Sequence, residues 1–378
     1  MKGYFEFYNP VKICAGEDAL GNVQYEAETL GMRRPMLLTD ETLTRLGVAK
    51  RFLEISGLEN CRVYDQVPAD SSIHTVNAIA RMYREEGCHG LIALGGGSVL
   101  DTAKGVKLLL SQGAEDILGL MGCENLSRGA YVPYIAVPTT AGTGSECTPV
   151  AVIRHPDRSV KLEYISPYMM PDTAVLDPRM TRSLPPRITA ATGLDALCHA
   201  IEAHTCDQRN PVSDAFATAA IRIIVEKLPV AVGKDSGPVR MDMAVAACMA
   251  GAAFGNSMVG AVHAIGHALG GVCHIPHGEA MAILLPHVMA YNRARKPDLY
   301  DDLTPFFGGG SDAVAAVERF VQEVARASGL PTRLRDTGLF DPSRVDEIAE
   351  KALNDGAMIV NPAYFSGKDV AELLLRAE

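Results

Sequence analysis

The pattern of apolar residues changes near residue 184, and this change restricts the fold more than any other feature of the chain. Before it, short β-rich segments alternate with amphipathic segments whose apolar residues recur every three or four positions. Such alternation is typical of a doubly wound, mostly parallel sheet with helices on its faces, an α/β fold. The expected strands are Arg34–Asp40, Cys61–Val67, Gly90–Leu94 and Val132–Val137, with Gly3–Ile13 as a candidate edge strand because it contains Pro10.

Beyond residue 184 the strand signals nearly vanish and helical spacing takes over. Two consecutive prolines, Pro185 and Pro186, interrupt either kind of element at this point. We therefore expect two domains, an α/β domain at residues 1–184 and an all-α domain at residues 185–378. The expected helices of the second domain are 188–206, 212–228, 238–258, 260–271, 278–292 and 311–328.

Charge and composition exclude several classes of partner. The formal net charge is −10, so the chain lacks the basic surface that nucleic acids require. Met1–Cys14 has no basic segment followed by an apolar one, and no uncharged apolar run is long enough to span a bilayer. The nine cysteines contain no CxxC pair, which favours a reducing compartment. We expect a cytoplasmic protein without a nucleic-acid or membrane partner.

The histidines are concentrated in one part of the chain, with seven of the ten between residues 199 and 287. Asp195 and His199 are four residues apart in an expected helix, which places them on one face, and His263 and His267 repeat this spacing. A carboxylate with two or three imidazoles suits Fe²⁺, Zn²⁺ or a similar divalent ion. Any one histidine alone is better explained as a helix cap or a buried hydrogen-bonding group, but the set favours a metal site.

Two loops rich in glycine and hydroxyl groups follow neighbouring apolar strands. Gly95-Gly96-Gly97-Ser98 opens a helix, and Thr139–Ser145 follows the next strand. Glycines let backbone N–H groups approach a phosphate, although tight turns also use glycine for steric reasons alone. Two such loops at the carboxyl ends of neighbouring strands predict a dinucleotide site. Asp40 ends the first expected strand; it either binds an adenosine ribose and excludes the 2′-phosphate of NADP, or only caps the next helix.

Several longer motifs contain these loops and histidines. They are Gly95-Gly96-Gly97-Ser98-x-x-Asp101, Pro138-Thr139-Thr140-x-Gly142-Thr143-Gly144-Ser145-Glu146, Ala191-Thr192-Gly193-Leu194-Asp195-Ala196-Leu197-x-His199-Ala200-Ile201-Glu202-Ala203, His263-x-x-x-His267-x-Leu269-Gly270-Gly271 and Pro276-His277-Gly278. With these motifs the chain resembles the iron-containing (group III) alcohol dehydrogenase family nearly from end to end.

The resemblance implies an NAD-dependent dehydrogenase that interconverts small aliphatic alcohols or diols and their aldehydes. It implies that Asp195, His199, His263 and His277 bind a divalent metal, Fe²⁺ or alternatively Zn²⁺. His267 is implied to be a catalytic residue that helps to move the proton, and the protein to be a homodimer or a higher homo-oligomer. The implied cofactor contacts are Asp40, Gly96, Gly97, Ser98, Asp101, Thr139, Thr140, Thr143 and Lys161.

The substrate pocket is constrained least. Val150 and Phe254 are candidates for an apolar wall, with ordinary core packing as an equal possibility. Residues 251–278 contain no lysine or arginine, so an anionic substrate would lack a partner there, and we expect neutral substrates. The same absence argues against a lyase similar to dehydroquinate synthase. Two further hypotheses stay open, namely a zinc enzyme similar to glycerol dehydrogenase and a non-catalytic protein that binds a nucleotide or a metal.

Overall fold

The structure is a computed structural model, and it describes residues 4–158, 160–233 and 237–378. Among these residues the strands are β1 (Lys12–Ala15), β2 (Met36–Leu38), β3 (Arg62–Tyr64), β4 (Leu91–Gly95), β5 (Tyr134–Pro138), β6 (Val150–His155), β7 (Val160–Ile165) and β8 (Thr173–Leu176). The α-helices are α1 (Val23–Thr29), α2 (Glu41–Arg45), α3 (Val48–Ser56), α4 (Ile73–Glu85), α5 (Gly97–Ser111), α6 (Pro186–Thr205), α7 (Pro211–Gly233), α8 (Gly237–Phe254), α9 (Ala261–Cys273), α10 (His277–Arg295), α11 (Ala313–Ser328), α12 (Val345–Leu353), α13 (Gly356–Ile359) and α14 (Gly367–Ala377).

Six of the described strands form one parallel sheet, in the order β1–β8–β5–β4–β2–β3. Helices pack on both faces of this sheet, since successive residues of a strand point to opposite faces. In β4, Leu91 and Ala93 lie in a core with residues of α4 and α5, whereas Ile92 and Leu94 lie in a second core with residues of α1 and α3. The expected doubly wound α/β fold is confirmed.

Four of the described strands differ from the sequence expectation. The edge strand expected at Gly3–Ile13, whose first residue lies outside the described part of the chain, begins only at Lys12, after Pro10. The sequence pattern does not predict β8, a four-residue strand that pairs in parallel with β1 and with β5. It also does not predict β6 and β7, which form a separate antiparallel hairpin. Half-buried and buried residues alternate along β6, as expected for a strand with one face in the core.

The chain separates into two compact units. The first unit is Asn9–Ser183, and the second is Leu184–Glu378 together with the described residues 4–8. The second unit has no strand among its described residues, which confirms the expected helical C-terminal part. Residues 4–8 belong with the helices because Phe7 stacks on Phe216 of α7, with 5.5 Å between the ring centroids. No helix in the described part of the chain has both the length and the apolarity to cross a membrane.

Lys104 is fully buried on α5 and joins this helix to the segment that leads into β6. Its ammonium group donates to Ser145 Oγ at 2.8 Å, to Thr148 Oγ1 at 2.7 Å and to the carbonyl oxygen of Val150 at 2.7 Å. These bonds use all three donors of the ammonium group. Ser145 Oγ in turn donates to Asp101 Oδ1 at 2.7 Å. Burial lowers the pKa of Lys104 to about 8, although nearby carboxylates oppose the shift.

Replacing Lys104 should destabilise the first unit. Lys104→Met removes three donors and leaves buried acceptors and the Asp101 carboxylate without their cation, so we expect the free energy of unfolding to fall by roughly 3 kcal/mol. Urea unfolding followed by circular dichroism measures this loss. Lys50→Met is the control, because Lys50 is 82% exposed and lies 3.8 Å from Glu54, a pair that contributes little. Equal stability of the two variants would show that the contacts of Lys104 do not stabilise the fold.

Candidate functional site

Three helices of the second unit carry the clustered histidines. Asp195 and His199 lie four residues apart on α6, and both side chains are buried. His263 lies in the first turn of α9, and His267 follows it one turn later. His277 is the first residue of α10. Helical spacing therefore places each pair on one face of its helix, as the sequence predicts.

The Oδ1 atom of Asp195 is the point on which three imidazoles converge. It lies 3.9 Å from Nε2 of His199, 3.6 Å from Nε2 of His263 and 3.4 Å from Nε2 of His277. The ring centroids of His199 and His263 are 4.4 Å apart. The structure thus brings together the four residues that the family resemblance assigns to a metal.

The chemistry of this group fits a divalent cation. Asp195 Oδ1 and His263 Nε2 are buried, and neither has a hydrogen-bond partner among the described residues. A buried polar atom without a partner is unfavourable, and an ion that both atoms ligate removes this penalty. Although burial alone raises the pKa of Asp195, His199 and His277 bring it well below its usual value, so the carboxylate is ionised. Fe²⁺ and Zn²⁺ both accept one carboxylate and three imidazoles.

The two candidates for an apolar wall lie in different units. Phe254, the last residue of α8, is half-buried and stacks on His199, with ring centroids 4.3 Å apart and ring planes 15° apart. It therefore covers one face of an imidazole in the histidine cluster. Val150, the first residue of β6, is also half-buried, and its carbonyl oxygen accepts a hydrogen bond from Lys104.

His267 has a different set of contacts from the three converging imidazoles. Its Nδ1 lies 2.8 Å from Asp355 Oδ2. Its ring stacks on the ring of His277, with 5.4 Å between the ring centroids. Asp355 caps α13, since its other oxygen accepts from the backbone N–H of Ala357 at 2.9 Å. Burial raises the pKa of the Asp355 carboxyl group. The hydrogen bond from His267 and the charge of that imidazole together outweigh burial, so the pKa lies below its usual value. An ionised carboxylate only accepts, so Nδ1 of His267 carries a proton.

Two carboxylates at this site, Glu202 and Asp355, are absent from the sequence-based assignment. Glu202 accepts from Nδ1 of His263. It lies three residues after His199 on the same face of α6, so helical spacing was a usable signal for it. Asp355 is 88 residues from His267 along the chain, and no spacing in the sequence indicates this pairing.

The two glycine-containing loops of the first unit lie against each other. Gly96 precedes the first residue of α5, Gly97, at the end of β4. A Cβ atom on Gly97 would lie 2.8 Å from Thr143 Cγ2, and one on Gly96 would lie 3.5 Å from Thr140 Oγ1. Glycine therefore permits the close approach of the loops at the carboxyl ends of β4 and β5. This edge of a parallel sheet is where ligands bind in doubly wound folds.

Ser98 and Asp101, near the start of α5, are both engaged inside the first unit. The hydroxyl group of Ser98 donates to the carbonyl oxygen of Ala69. Asp101 accepts from Ser145 Oγ at 2.7 Å and from the backbone N–H of Val152 at 3.0 Å. Because both oxygens of Asp101 have partners in the protein, its geometry is that of a support for the second loop and the hairpin.

The remaining expected cofactor residues lie near the same edge of the strands or on the hairpin. Asp40 caps α2, with one oxygen accepting from the N–H of Leu43 at 2.9 Å; the capping role is therefore observed, and a carboxylate has a second oxygen for another partner. Thr139 extends the pairing of β5 with β4 by one backbone hydrogen bond. Lys161, on β7, lies 3.3 Å from Asp70.

Comparison with known proteins finds matches over nearly the whole chain. The family model "Iron-containing alcohol dehydrogenase" matches residues 10–178, and "Fe-containing alcohol dehydrogenase family, C-terminal" matches residues 189–378. A probable alcohol dehydrogenase of Salmonella typhimurium, EutG, is 37% identical over 97% of this chain and 93% of its own length. A solved 1,3-propanediol oxidoreductase gives a TM-score of 0.92 at 34% identity, covering 99% of this chain and 100% of its own. The sulfoacetaldehyde reductase of Bifidobacterium kashiwanohense, solved in complex with NAD⁺, gives 0.88 at 27% identity, covering 99% and 98%.

The close approach of the two loops predicts the effect of a single methyl group. In Gly97→Ala the added Cβ would meet Thr143 and push the loops apart. We expect the dissociation constant of NADH, measured by fluorescence titration, to rise about tenfold, which corresponds to about 1.4 kcal/mol. Gly119→Ala is the control, because its added Cβ would have no heavy atom within 4 Å. An unchanged affinity in Gly97→Ala would mean that dinucleotide binding does not depend on this approach.

Proposed function

This chain belongs to the iron-containing alcohol dehydrogenase family, and on that basis we propose that Asp195, His199, His263 and His277 bind its catalytic metal. It is an oxidoreductase that acts on alcohols. The observation that carries the ligand assignment is that three Nε2 atoms lie within 3.9 Å of one buried carboxylate oxygen. We propose Fe²⁺ as the ion, after the name of the family, with Zn²⁺ as the alternative that the same donors accept.

The reactive chemistry belongs to the bound groups, and the chain supplies their surroundings. When bound, a divalent metal polarises an alcohol or carbonyl oxygen, and NAD exchanges a hydride with the substrate carbon. The burial of Asp195 and His263 lowers the local dielectric constant, which strengthens each electrostatic interaction at the site. Phe254 shields one face of His199 and limits the access of water to it.

We propose that His267 takes up and releases the proton of the reaction. Its Nδ1 is held by Asp355, which leaves Nε2 as the nitrogen that can exchange a proton. The carboxylate of Asp355 accepts this hydrogen bond through Oδ2. Its second oxygen is held by the backbone of Ala357, so the orientation of the pair is fixed from both sides.

We propose NAD as the cofactor, bound at the loops that contain Gly96, Gly97, Thr140 and Thr143. The support is the position of these loops at the carboxyl ends of β4 and β5, together with the NAD⁺ complex of a structurally similar reductase. The second oxygen of Asp40 is proposed to bind the adenosine ribose and to repel a 2′-phosphate. Equal turnover with NADPH and NADH would exclude this role of Asp40.

The substrate that we propose is a small neutral aliphatic alcohol or diol, or the corresponding aldehyde. Residues 251–278 contain no lysine or arginine, and two arginines of the second unit already have partners. Arg240 donates to Thr189 Oγ1 at 2.7 Å, and Arg344 is bonded to Glu347 and to the backbone of α9. An anionic group near the histidines would therefore be buried without a counter-charge, which is unfavourable.

We also propose that the protein acts in the cytoplasm as a homodimer or a larger homo-oligomer. None of the nine cysteines, all of which the structure describes, forms a disulfide, as expected in a reducing compartment. β1 is an edge strand that pairs on one side with β8 and exposes Ile13, and open strand edges favour pairing with another chain. A monomer in light scattering at micromolar concentration would contradict the oligomer.

Metal content and activity should separate in two variants. Asp195→Ala removes the carboxylate on which the imidazoles converge, so we expect loss of bound metal, measured by elemental analysis, together with loss of alcohol oxidation. His267→Ala should retain its metal and lose roughly 10²- to 10⁴-fold in kcat, the usual contribution of general acid–base catalysis. Full metal content in Asp195→Ala would exclude the ligand assignment. If the wild-type protein binds metal but oxidises no alcohol, the protein is instead a non-catalytic metal-binding protein.

Neutral aldehydes should be reduced better than anionic ones. We expect kcat/KM with NADH to be at least about tenfold higher for butyraldehyde or lactaldehyde than for succinic semialdehyde or sulfoacetaldehyde, because a buried, unpaired anion is unfavourable by more than about 1.4 kcal/mol. Steady-state rates followed by NADH absorbance decide this. The highest kcat/KM for an anionic aldehyde would contradict the neutral pocket.

A further inference from the structure

Glu202 connects two of the helices that carry the proposed metal ligands. It lies on α6, three residues after His199, and is buried. Its Oε1 accepts from the backbone N–H of Val262 at 2.7 Å, and its Oε2 accepts from Nδ1 of His263. Both donors belong to the first turn of α9. One side chain of α6 therefore holds the start of α9 through a backbone group and a side chain.

These two bonds determine which nitrogen of His263 faces Asp195. An ionised carboxylate has no proton to donate, so Nδ1 of His263 carries the hydrogen. In the neutral imidazole the lone pair then lies on Nε2, the atom that is 3.6 Å from Asp195 Oδ1. This is the tautomer that can ligate an ion between His263 and Asp195.

The backbone at the start of α9 is arranged around this carboxylate. The first N–H groups of a helix lack partners within the helix. Glu202 satisfies that of Val262, and Asn361 Oδ1 satisfies that of Ala261 at 3.1 Å. A Cβ on Gly260, the residue before α9, would lie 3.0 Å from Glu202 Oε1 and 3.0 Å from Asn361 Oδ1. Glycine at this position therefore leaves room for both side chains.

We infer that Glu202 is the positioning residue that prepares His263 for metal binding, by fixing its tautomer and by holding α9 to α6. This inference rests on the proposed assignment of Asp195, His199, His263 and His277 as ligands. An imidazole that donates its other N–H to a carboxylate is also a stronger ligand, and partners of this kind typically contribute 10- to 100-fold to metal affinity.

A carboxylate is required here because both donors need an acceptor. An amide at position 202 has one oxygen and one NH₂ group. If its oxygen faces His263, its NH₂ group faces the N–H of Val262, so that two donors meet and neither has an acceptor. If the amide turns over, its NH₂ group faces Nδ1 of His263 and favours the tautomer whose Nε2 carries the hydrogen and cannot bind a metal. Glu202→Gln therefore conserves size and disrupts the arrangement in either orientation.

The test is a titration of the full-length chain, freed of metal by a chelator, with Co²⁺ and followed by the visible absorption of the bound ion. We expect Glu202→Gln to raise the Co²⁺ dissociation constant about 10- to 100-fold and to change the absorption spectrum of the bound ion. The control is Asp302→Asn, which removes another carboxylate bonded to a histidine of α6, His204, at 2.7 Å. It should bind Co²⁺ with the affinity of the wild type.

A second variant leaves Glu202 in place. Gly260→Ala displaces the carboxylate by its added methyl group, so Co²⁺ affinity should fall severalfold even if Glu202→Gln does not fold. Wild-type Co²⁺ affinity in Glu202→Gln would overturn the inference. If that variant does not fold, wild-type Co²⁺ affinity in Gly260→Ala would overturn it. An equal loss of Co²⁺ affinity in Asp302→Asn and Glu202→Gln would also overturn it. Asp195→Ala separates the two proposals: if it binds Co²⁺ like the wild type, the metal site itself is wrongly assigned.

Discussion

The carboxylate of Asp195 is buried among imidazoles, and the second unit is organised around the compensation of its charge. A buried anion is strongly unfavourable unless hydrogen bonds or a cation balance it. Here three imidazole nitrogens approach Oδ1 without forming hydrogen bonds at 3.4–3.9 Å. Each nitrogen comes from a rigid helix, and Glu202 adds a second buried carboxylate behind His263.

In the first unit a buried positive charge is compensated in the same way, by surrounding hydrogen-bond acceptors and a carboxylate. Lys104 is a buried charge of that unit, and three oxygen atoms accept its hydrogen bonds while Asp101 is linked to it through the hydroxyl group of Ser145. The network joins α5 to the loop after β5 and to the start of β6. Asp101 thus supports the loop after β5 and the start of β6 through its hydrogen bonds with Ser145 and Val152.

The sequence predicts best the long helices and the strands that are buried along their whole length. β4 and β5 are entirely buried and appear in the sequence as apolar runs, while α6 to α11 are long helices whose apolar residues recur at helical spacing. β1 pairs with β8, and β8 pairs with both β1 and β5, so these two short strands are set by tertiary pairing that lies outside any local pattern. At the site, helical spacing relates Asp195 to His199 and extends to Glu202, because all three share one helix face. The partner of His267 is set by tertiary packing alone, so no local signal exists for Asp355.

The proposed ligands are widely separated along the chain, so a bound ion would also affect the folding stability of the protein and its resistance to degradation. An ion that joins Asp195 to His277 closes a loop of about eighty residues and constrains the unfolded chain much as a long-range disulfide does. Because such an ion favours the folded chain over the unfolded one, its removal withdraws stability together with catalysis. The unfolded fraction is what cellular proteases degrade. In an iron-poor cell the number of enzyme molecules would therefore fall along with the turnover of each one, so that iron supply governs abundance as well as rate.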